Sequence, residues 1–276
     1  MRVFVCVLYI LSFFNNVINC KPFSLQQANI TAILSAASYC DKNDIYNIKW
    51  REPAKGFQLT DIIYDFTTDL NGYIGILPST KTIYIVFRGS QSIRNWIEDF
   101  EVKKIDYLTF PECNCKVHKG FYNSAINVID YILLSIENLK SKYNYNIIVT
   151  GHSYGGAVAQ LIAMELSAKK IDTIVYNFGQ PRIGDVEYSI FVNTKIVLWR
   201  IVHNRDIVPH IPTIKGFEYY HACGEVFEDY NNDIHFCSDI DCEDMSCSRQ
   251  YKLKDTNIKD HMIYLGYNMT CEETIK

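Results

Sequence analysis

Residues 145–169 read YNIIVTGHSYGGAVAQLIAMELSAK, and the pattern changes character in the middle. Ile147, Ile148 and Val149 form a short β-branched run, which reads as a buried strand. Ala157, Leu161, Ile162, Met164 and Leu166 then recur at helical spacing in an Ala-rich background. Between them stands Gly151-His152-Ser153-Tyr154-Gly155, a G-x-S-x-G match. Strand, sharp turn and helix are the context in which this motif exposes a nucleophilic serine. Gly151 and Gly155 leave room for a strained turn that a Cβ would crowd. A helix N-terminus next to Ser153 favours negative charge developing there. A Gly-rich turn with an idle serine would need neither the strand nor the helix.

Outward from this stretch, buried strands alternate with helices. Residues 60–66, 72–77, 82–87, 172–178 and 196–202 read as strands, and residues 217–227 look extended. Residues 24–39 and 125–139 carry helical apolar faces. No repeat or linker interrupts the pattern, which predicts one α/β domain over residues 21–276 with a central, largely parallel sheet.

Composition narrows the class. The chain has 276 residues, 48% of them hydrophobic and 14% aromatic, so it is long and apolar enough for one large core. The formal net charge of -4 comes from mixed signs, which gives no reason to expect a nucleic-acid partner. Arg2 followed by twelve nearly unbroken apolar residues, 3–14, reads as a secretory signal peptide over residues 1–20. An N-terminal membrane anchor fits this short run less well, and no later stretch is long enough to span a bilayer. Of ten cysteines, cleavage after Cys20 removes two, Cys6 and Cys20, and leaves an even set. These are Cys40, Cys113, Cys115, Cys223, Cys237, Cys242, Cys247 and Cys271, an arrangement expected to form disulfides in an extracellular compartment. Zinc is the rival reading of Cys237, Cys242 and Cys247. Asn29-Ile30-Thr31 and Asn268-Met269-Thr270 are glycosylation sequons.

A serine hydroxyl attacks only when a base takes its proton and an acid steadies that base. In α/β-hydrolases the members follow in the order Ser, Asp or Glu, His, each later one on a loop after a strand. Asp206 follows residues 196–202 and precedes Ile207-Val208-Pro209; Asp185 is its main rival, in a setting that also suits a turn and helix start. Of the histidines beyond Asp206, His261 comes after the last inferred strand and is the expected base. His210 lies too close to Asp206, and His221 reads as structural. His152 is expected to point away from Ser153, and His118 and His203 to bond within their own loops. The oxyanion donors would be the Tyr154 N–H and Ser90, which closes an apolar strand. Residues 92–100 begin with a serine suited to an N-cap and place Ile93, Trp96 and Ile97 on one face, Arg94, Asn95 and Glu98 on the other. A helix this short must pack or move. It reads as a lid whose apolar face closes over Ser153. This chemistry calls for no cofactor and no metal.

The segments LSAASYC, VFRGSQSIRNWI, VHKGF, VTGHSYGGAVA, FGQPRIGD, RIVHNRDIVPHIP and DHMIYLG together resemble the class 3 lipases. These are secreted fungal triacylglycerol lipases and their feruloyl esterase relatives. The resemblance runs through nearly the whole chain after the leader. It implies Ser153, Asp206 and His261 as the triad, Ser90 and Tyr154 at the oxyanion hole, and Ile93, Arg94, Asn95, Trp96 and Ile97 in the lid. It also implies a disulfide from Cys40 to Cys271. Within the downstream loop, Cys237–Cys247 and Cys223–Cys242 are the favoured pairs, although sequence alone does not fix connectivity. Two features depart from the family pattern: Tyr154 where leucine is frequent, and Cys113-Asn114-Cys115, a tight bridge if closed. The expected activity is ester hydrolysis on acylglycerols at a lipid–water interface. A soluble-ester, feruloyl-type esterase is the alternative, and a non-catalytic lipid-binding or storage protein the more distant one.

Overall fold

The computed structural model describes residues 22–99 and 101–272; the leader expected at residues 1–20 lies outside them, as does Phe100. In chain order, α1 (Leu25–Ala37) is capped by the Ser24 hydroxyl, which accepts from the Gln27 N–H. A short α2 (Lys42–Asn47) is capped in the same way by Asp41. Next come β1 (Gln58–Asp65), β2 (Leu70–Leu77) and β3 (Thr82–Phe87), then the short α3 (Ile93–Glu98). A small hairpin, β4 (Lys104–Asp106) and β5 (Lys116–His118), leads into α4 (Lys119–Lys140). The elbow segment supplies β6 (Asn146–His152) and α5 (Tyr154–Ala168). The rest is β7 (Ile174–Phe178), α6 (Val186–Val192), β8 (Val197–His203), β9 (Glu225–Glu228), β10 (Ile234–Phe236) and a last hairpin, β11 (Ile263–Tyr264) with β12 (Tyr267–Asn268).

Eight strands form one sheet in the order β1-β2-β3-β6-β7-β8-β9-β10. The pairings from β3 to β9 are parallel, and the two margins are antiparallel. Side-chain alternation along each strand divides the core between the two faces. On β3, Ile83, Ile85 and Phe87 join the cluster under α4 and α5, whereas Tyr84 and Val86 join the one under α1. On β6, Ile147 and Val149 face the first cluster and Ile148 the second. Both sides of β3 and β6 are therefore dry, as parallel central strands require. This is the α/β-hydrolase arrangement that the strand–helix alternation predicts.

Three details differ from the sequence reading. Within residues 217–227, only the end is strand, in β9; Gly216 and Glu218 both take positive φ, 99° and 53°, which turns the chain there. Helix α2 and the hairpin β4–β5 were not anticipated, and the helix start that the setting of Asp185 suits is formed, as α6. Helix α4 begins six residues before the apolar face suggests, because the His118 ring accepts from the Phe121 N–H and caps it.

Disulfides join Cys40 to Cys271, Cys113 to Cys115, Cys223 to Cys242 and Cys237 to Cys247. Cys40–Cys271 ties the end of α1 to the turn after β12. Cys237 and Cys247 do approach Glu225 closely enough to suggest a metal cluster, but their sulfurs are spent on each other. Among the described residues, no helix is long and apolar enough to cross a membrane.

Candidate active site

The site is built at the carboxyl ends of β3, β6, β7 and β8. Ser153 sits between β6 and α5 at φ 59° and ψ -130°, a conformation costly for any residue with a side chain. Its N–H donates to the Phe178 carbonyl at 2.8 Å, which fixes the turn to β7. A Cβ on Gly155 would overlap the Phe87 carbonyl, and one on Gly151 would overlap Gly155. Both glycines are therefore needed for the elbow to close. Ser153 is only 1% exposed.

Asp206 follows β8 and is fully buried. Its Oδ1 accepts from the Val208 N–H at 2.8 Å and its Oδ2 from His261 Nδ1 at 2.7 Å. The Tyr264 hydroxyl also donates to Oδ2. A carboxylate with these donors holds the proton of His261 on Nδ1 and leaves Nε2 as the acceptor. That Nε2 and the Ser153 Oγ are both buried and have no hydrogen-bond partner among the described residues. Both residues line one cavity of about 300 Å³, with Tyr39, Ser90, Ile93 and Met262. Gly179 ends β7 at φ 57°, and a Cβ there would lie 2.7 Å from Asp206 Oδ2 and 2.8 Å from His261 Cε1. Asp206 and His261 occupy the space this glycine leaves open.

The loops carrying Asp206 and His261 are stitched together by Asp260. Its Oδ2 accepts from Asn204 Nδ2 at 2.9 Å, the Arg205 N–H at 3.1 Å and Asn257 Nδ2 at 3.0 Å. His203 also crosses to this loop, its Nδ1–H donating to the Asp260 carbonyl at 3.0 Å, rather than bonding within its own. Asp185, the rival acid, is occupied elsewhere: it caps α6 through the Tyr188 N–H at 3.0 Å and holds the Lys116 N–H at 2.7 Å. His221 donates to the Pro209 carbonyl at 2.8 Å. Burial lowers His210 to about 4. His152 does not simply point away. Its ring lies 4.3 Å from that of His261, between Tyr39 and the His261 backbone.

Gly89 brings the end of the β3 strand up against the serine, since a Cβ there would lie 2.9 Å from that of Ser153. Ser90 is thereby placed on the cavity that Ser153 lines. Tyr154 opens α5, so its N–H is one of the helix's unsatisfied first-turn donors. The Tyr154 side chain turns the other way and bonds Ser124 Oγ at 2.5 Å. It lines a second cavity of about 400 Å³ with Trp96, Phe121 and His118.

Helix α3 lies over this region. Its Ser92 stands at the N-cap position but makes no capping hydrogen bond from its side chain. Ile93, Trp96 and Ile97 are half-buried, while Arg94, Asn95 and Glu98 are exposed. Ile93 lines the serine cavity, whereas Trp96 lines the second one and stacks on Phe121 with ring centroids 6.3 Å apart. The apolar face thus straddles two cavities instead of lying wholly over Ser153. Of the two sequons, Asn268 is exposed on β12. Asn29 is half-buried on α1, its side-chain amide donating to the Leu25 carbonyl at 2.9 Å.

Sequence order and motif context point to Ser153, Asp206 and His261. They do not point to Tyr264, Gly179 or the stacking of His152 on His261. Tyr264 follows His261 by three residues, which is the only local hint of its contact with Asp206.

The class 3 lipase family model matches residues 84–216. The chain is 35% identical over 248 residues to the lipase of Rhizomucor miehei, covering 85% of this chain and 67% of that one. It is 29% identical over 214 residues to the secreted mono- and diacylglycerol lipase A of Penicillium cyclopium, 73% of this chain and 65% of that one. It therefore spans about two thirds of the length of these relatives. The solved structure of lipase II from Rhizopus niveus superposes with a TM-score of 0.80 at 32% identity, covering 89% of this chain and 96% of that one. With the family's model lying across its elbow and a lipase matching it at 35% identity through 85% of its length, the chain belongs to the class 3 lipase family.

Proposed function

We propose that the protein is a secreted serine hydrolase of carboxylic esters that acts on acylglycerols at a lipid–water interface. One observation carries this reading: Ser153 Oγ and His261 Nε2, both buried and unpartnered among the described residues, line the same cavity while Asp206 holds the far side of the imidazole. In that arrangement Nε2 takes the serine proton as Oγ attacks the ester carbonyl. Asp206 stabilises the imidazolium that forms. The Tyr154 N–H and Ser90 stabilise the oxyanion. Nε2 then gives the proton to the departing alcohol, leaving an acyl group on Ser153 that water removes by the same steps.

The interface part of the proposal rests on α3. Its half-buried Ile93, Trp96 and Ile97 give up little water-excluded surface when they leave the protein for a lipid phase. Secretion rests on the leader pattern, the disulfides and the name of the Penicillium relative. The test is hydrolysis by the purified protein of a soluble short-chain ester and an emulsified long-chain triglyceride, with Ser153→Ala beside the wild type. Turnover of both by the wild type, faster on the emulsion and absent from Ser153→Ala, is expected. Turnover that survives in Ser153→Ala rules the mechanism out.

A further inference from the structure

His152 precedes the nucleophile and is absorbed by none of the steps above. A backbone carbonyl can only accept, so the 2.8 Å contact between His152 Nε2 and the His261 carbonyl places the His152 proton on Nε2. Nδ1 is then the acceptor for the Tyr39 hydroxyl at 2.6 Å. The two imidazoles lie 4.3 Å apart at an interplanar angle of 34°. The His152 ring is almost wholly buried.

We propose that His152 is a positioning residue that fixes the distance and tilt of the His261 ring relative to Ser153, with the Tyr39 hydroxyl anchoring its Nδ1. The reason is covalent as well as geometric. His152 is bonded in the chain to Ser153 and hydrogen-bonded to the backbone of His261, so one side chain couples the nucleophile's strand to the base's loop. Tyr39 extends the coupling to the oxyanion side: a Cβ on Gly89 would overlap its hydroxyl, so that hydroxyl packs against the residue before Ser90. Burial keeps His152 neutral, its pKa well below the usual histidine value, and the neighbouring His261 adds to the effect. The groups facing it are the ring and carbonyl of His261, the Tyr39 hydroxyl and the Tyr264 ring. Asp206 lies beyond His261, and the charge of Arg88 acts on Tyr39.

The inference rests on the serine-hydrolase reading, and its test separates the two. His152→Leu removes both hydrogen bonds. His152→Gln keeps a donor near the position of Nε2. Tyr39→Phe keeps the bond from Nε2 to the His261 carbonyl but removes the one that anchors Nδ1. On a soluble ester, His152→Leu is expected to lower kcat about 100-fold with KM little changed, the scale of a small misplacement of a reacting group. His152→Gln should recover most of the loss, and Tyr39→Phe should lose about 10-fold in kcat, again with KM little changed. A folded His152→Leu with wild-type kcat overturns the proposal. If that variant does not fold, a wild-type Tyr39→Phe overturns it instead. Activity retained in His261→Ala overturns the serine-hydrolase reading itself. An inactive His261→Ala beside normal His152 and Tyr39 variants overturns the positioning role alone.

Discussion

The elbow and the lid lie next to each other and are held in opposite ways. Ser153, Asp206 and His261 are all but fully buried, and Asp206 is tied to His261, Tyr264 and Val208 by hydrogen bonds. Helix α3 has six residues, no buried side chain and no side-chain cap from Ser92. A fully buried side chain of the size of Ile or Trp contributes about 1.5–3 kcal/mol, and its half-buried residues realise only part of that. On the proposed mechanism the chemistry is therefore built in advance, and access to it is the adjustable part. Catalysis by pre-aimed groups needs the first property, and a site that must exclude water until substrate arrives needs the second.

Breaking the rigid half should have the largest effect. Asp206→Asn is expected to lower kcat about 10,000-fold by disturbing the His261 tautomer, while Asp185→Asn leaves kcat near wild type. Parallel kinetics on a soluble ester check this, and a larger loss from Asp185→Asn reverses the assignment. Gly179→Ala pushes a methyl against Asp206 and His261 and imposes a positive φ on alanine. A loss of about 100-fold in kcat is expected for that displacement, read in the same assay.

The support behind the acid loop offers a stability test. Glu243, in the disulfide-braced loop, pairs with Arg182 at 2.7 and 2.8 Å and accepts the His221 N–H. Burial alone would raise its carboxyl, but the hydrogen bonds and charge of Arg182 outweigh this and hold it at about 2. A depressed carboxyl gives stability that is complete above its unfolded value and lost as pH falls to the folded one. Glu243→Gln should thus cost on the order of 3 kcal/mol at pH 6. Denaturant melts should show the gap to wild type closing between about pH 4.5 and 2; a gap that stays constant shows that this pair is not what senses acid.

The smallest effect belongs to the lid. Trp96→Ser should reduce activity on emulsified triglyceride several-fold while leaving a soluble short-chain ester close to wild type, because a lipid phase offers Trp96 an apolar alternative to its stack on Phe121 and water does not. Equal losses on both substrates make Trp96 a packing residue and favour the esterase alternative.

The two halves were also unequally legible. The elbow could be read because its evidence is local: a β-branched strand, two glycines and a helix within 25 residues. Asp206 and His261, which the structure brings together, could be picked out as candidates because each follows a strand in a fixed order. What surrounds them could not. His152 meets His261 across 109 residues, and Tyr264 meets Asp206 across 58, contacts that no periodicity encodes. Helix α6 does carry a capping aspartate, Asp185, but seven residues are too few for an apolar period to stand out. Residues 217–227 mislead for the opposite reason: their aromatic, β-favouring composition suggests a strand, and the backbone turn at Gly216 and Glu218 overrides it. The lid's apolar face was visible from Ile93, Trp96 and Ile97, but not its division between two cavities.

Both halves meet in one measurement: the rate at which a long-chain alkylphosphonate ester labels the wild-type protein, in solution and with a lipid–water interface present. The modified residue is identified by mass spectrometry. A single adduct on Ser153, forming faster at the interface, is the expected result. An adduct on another residue would contradict the catalytic assignment, and a rate indifferent to the interface would contradict the lid.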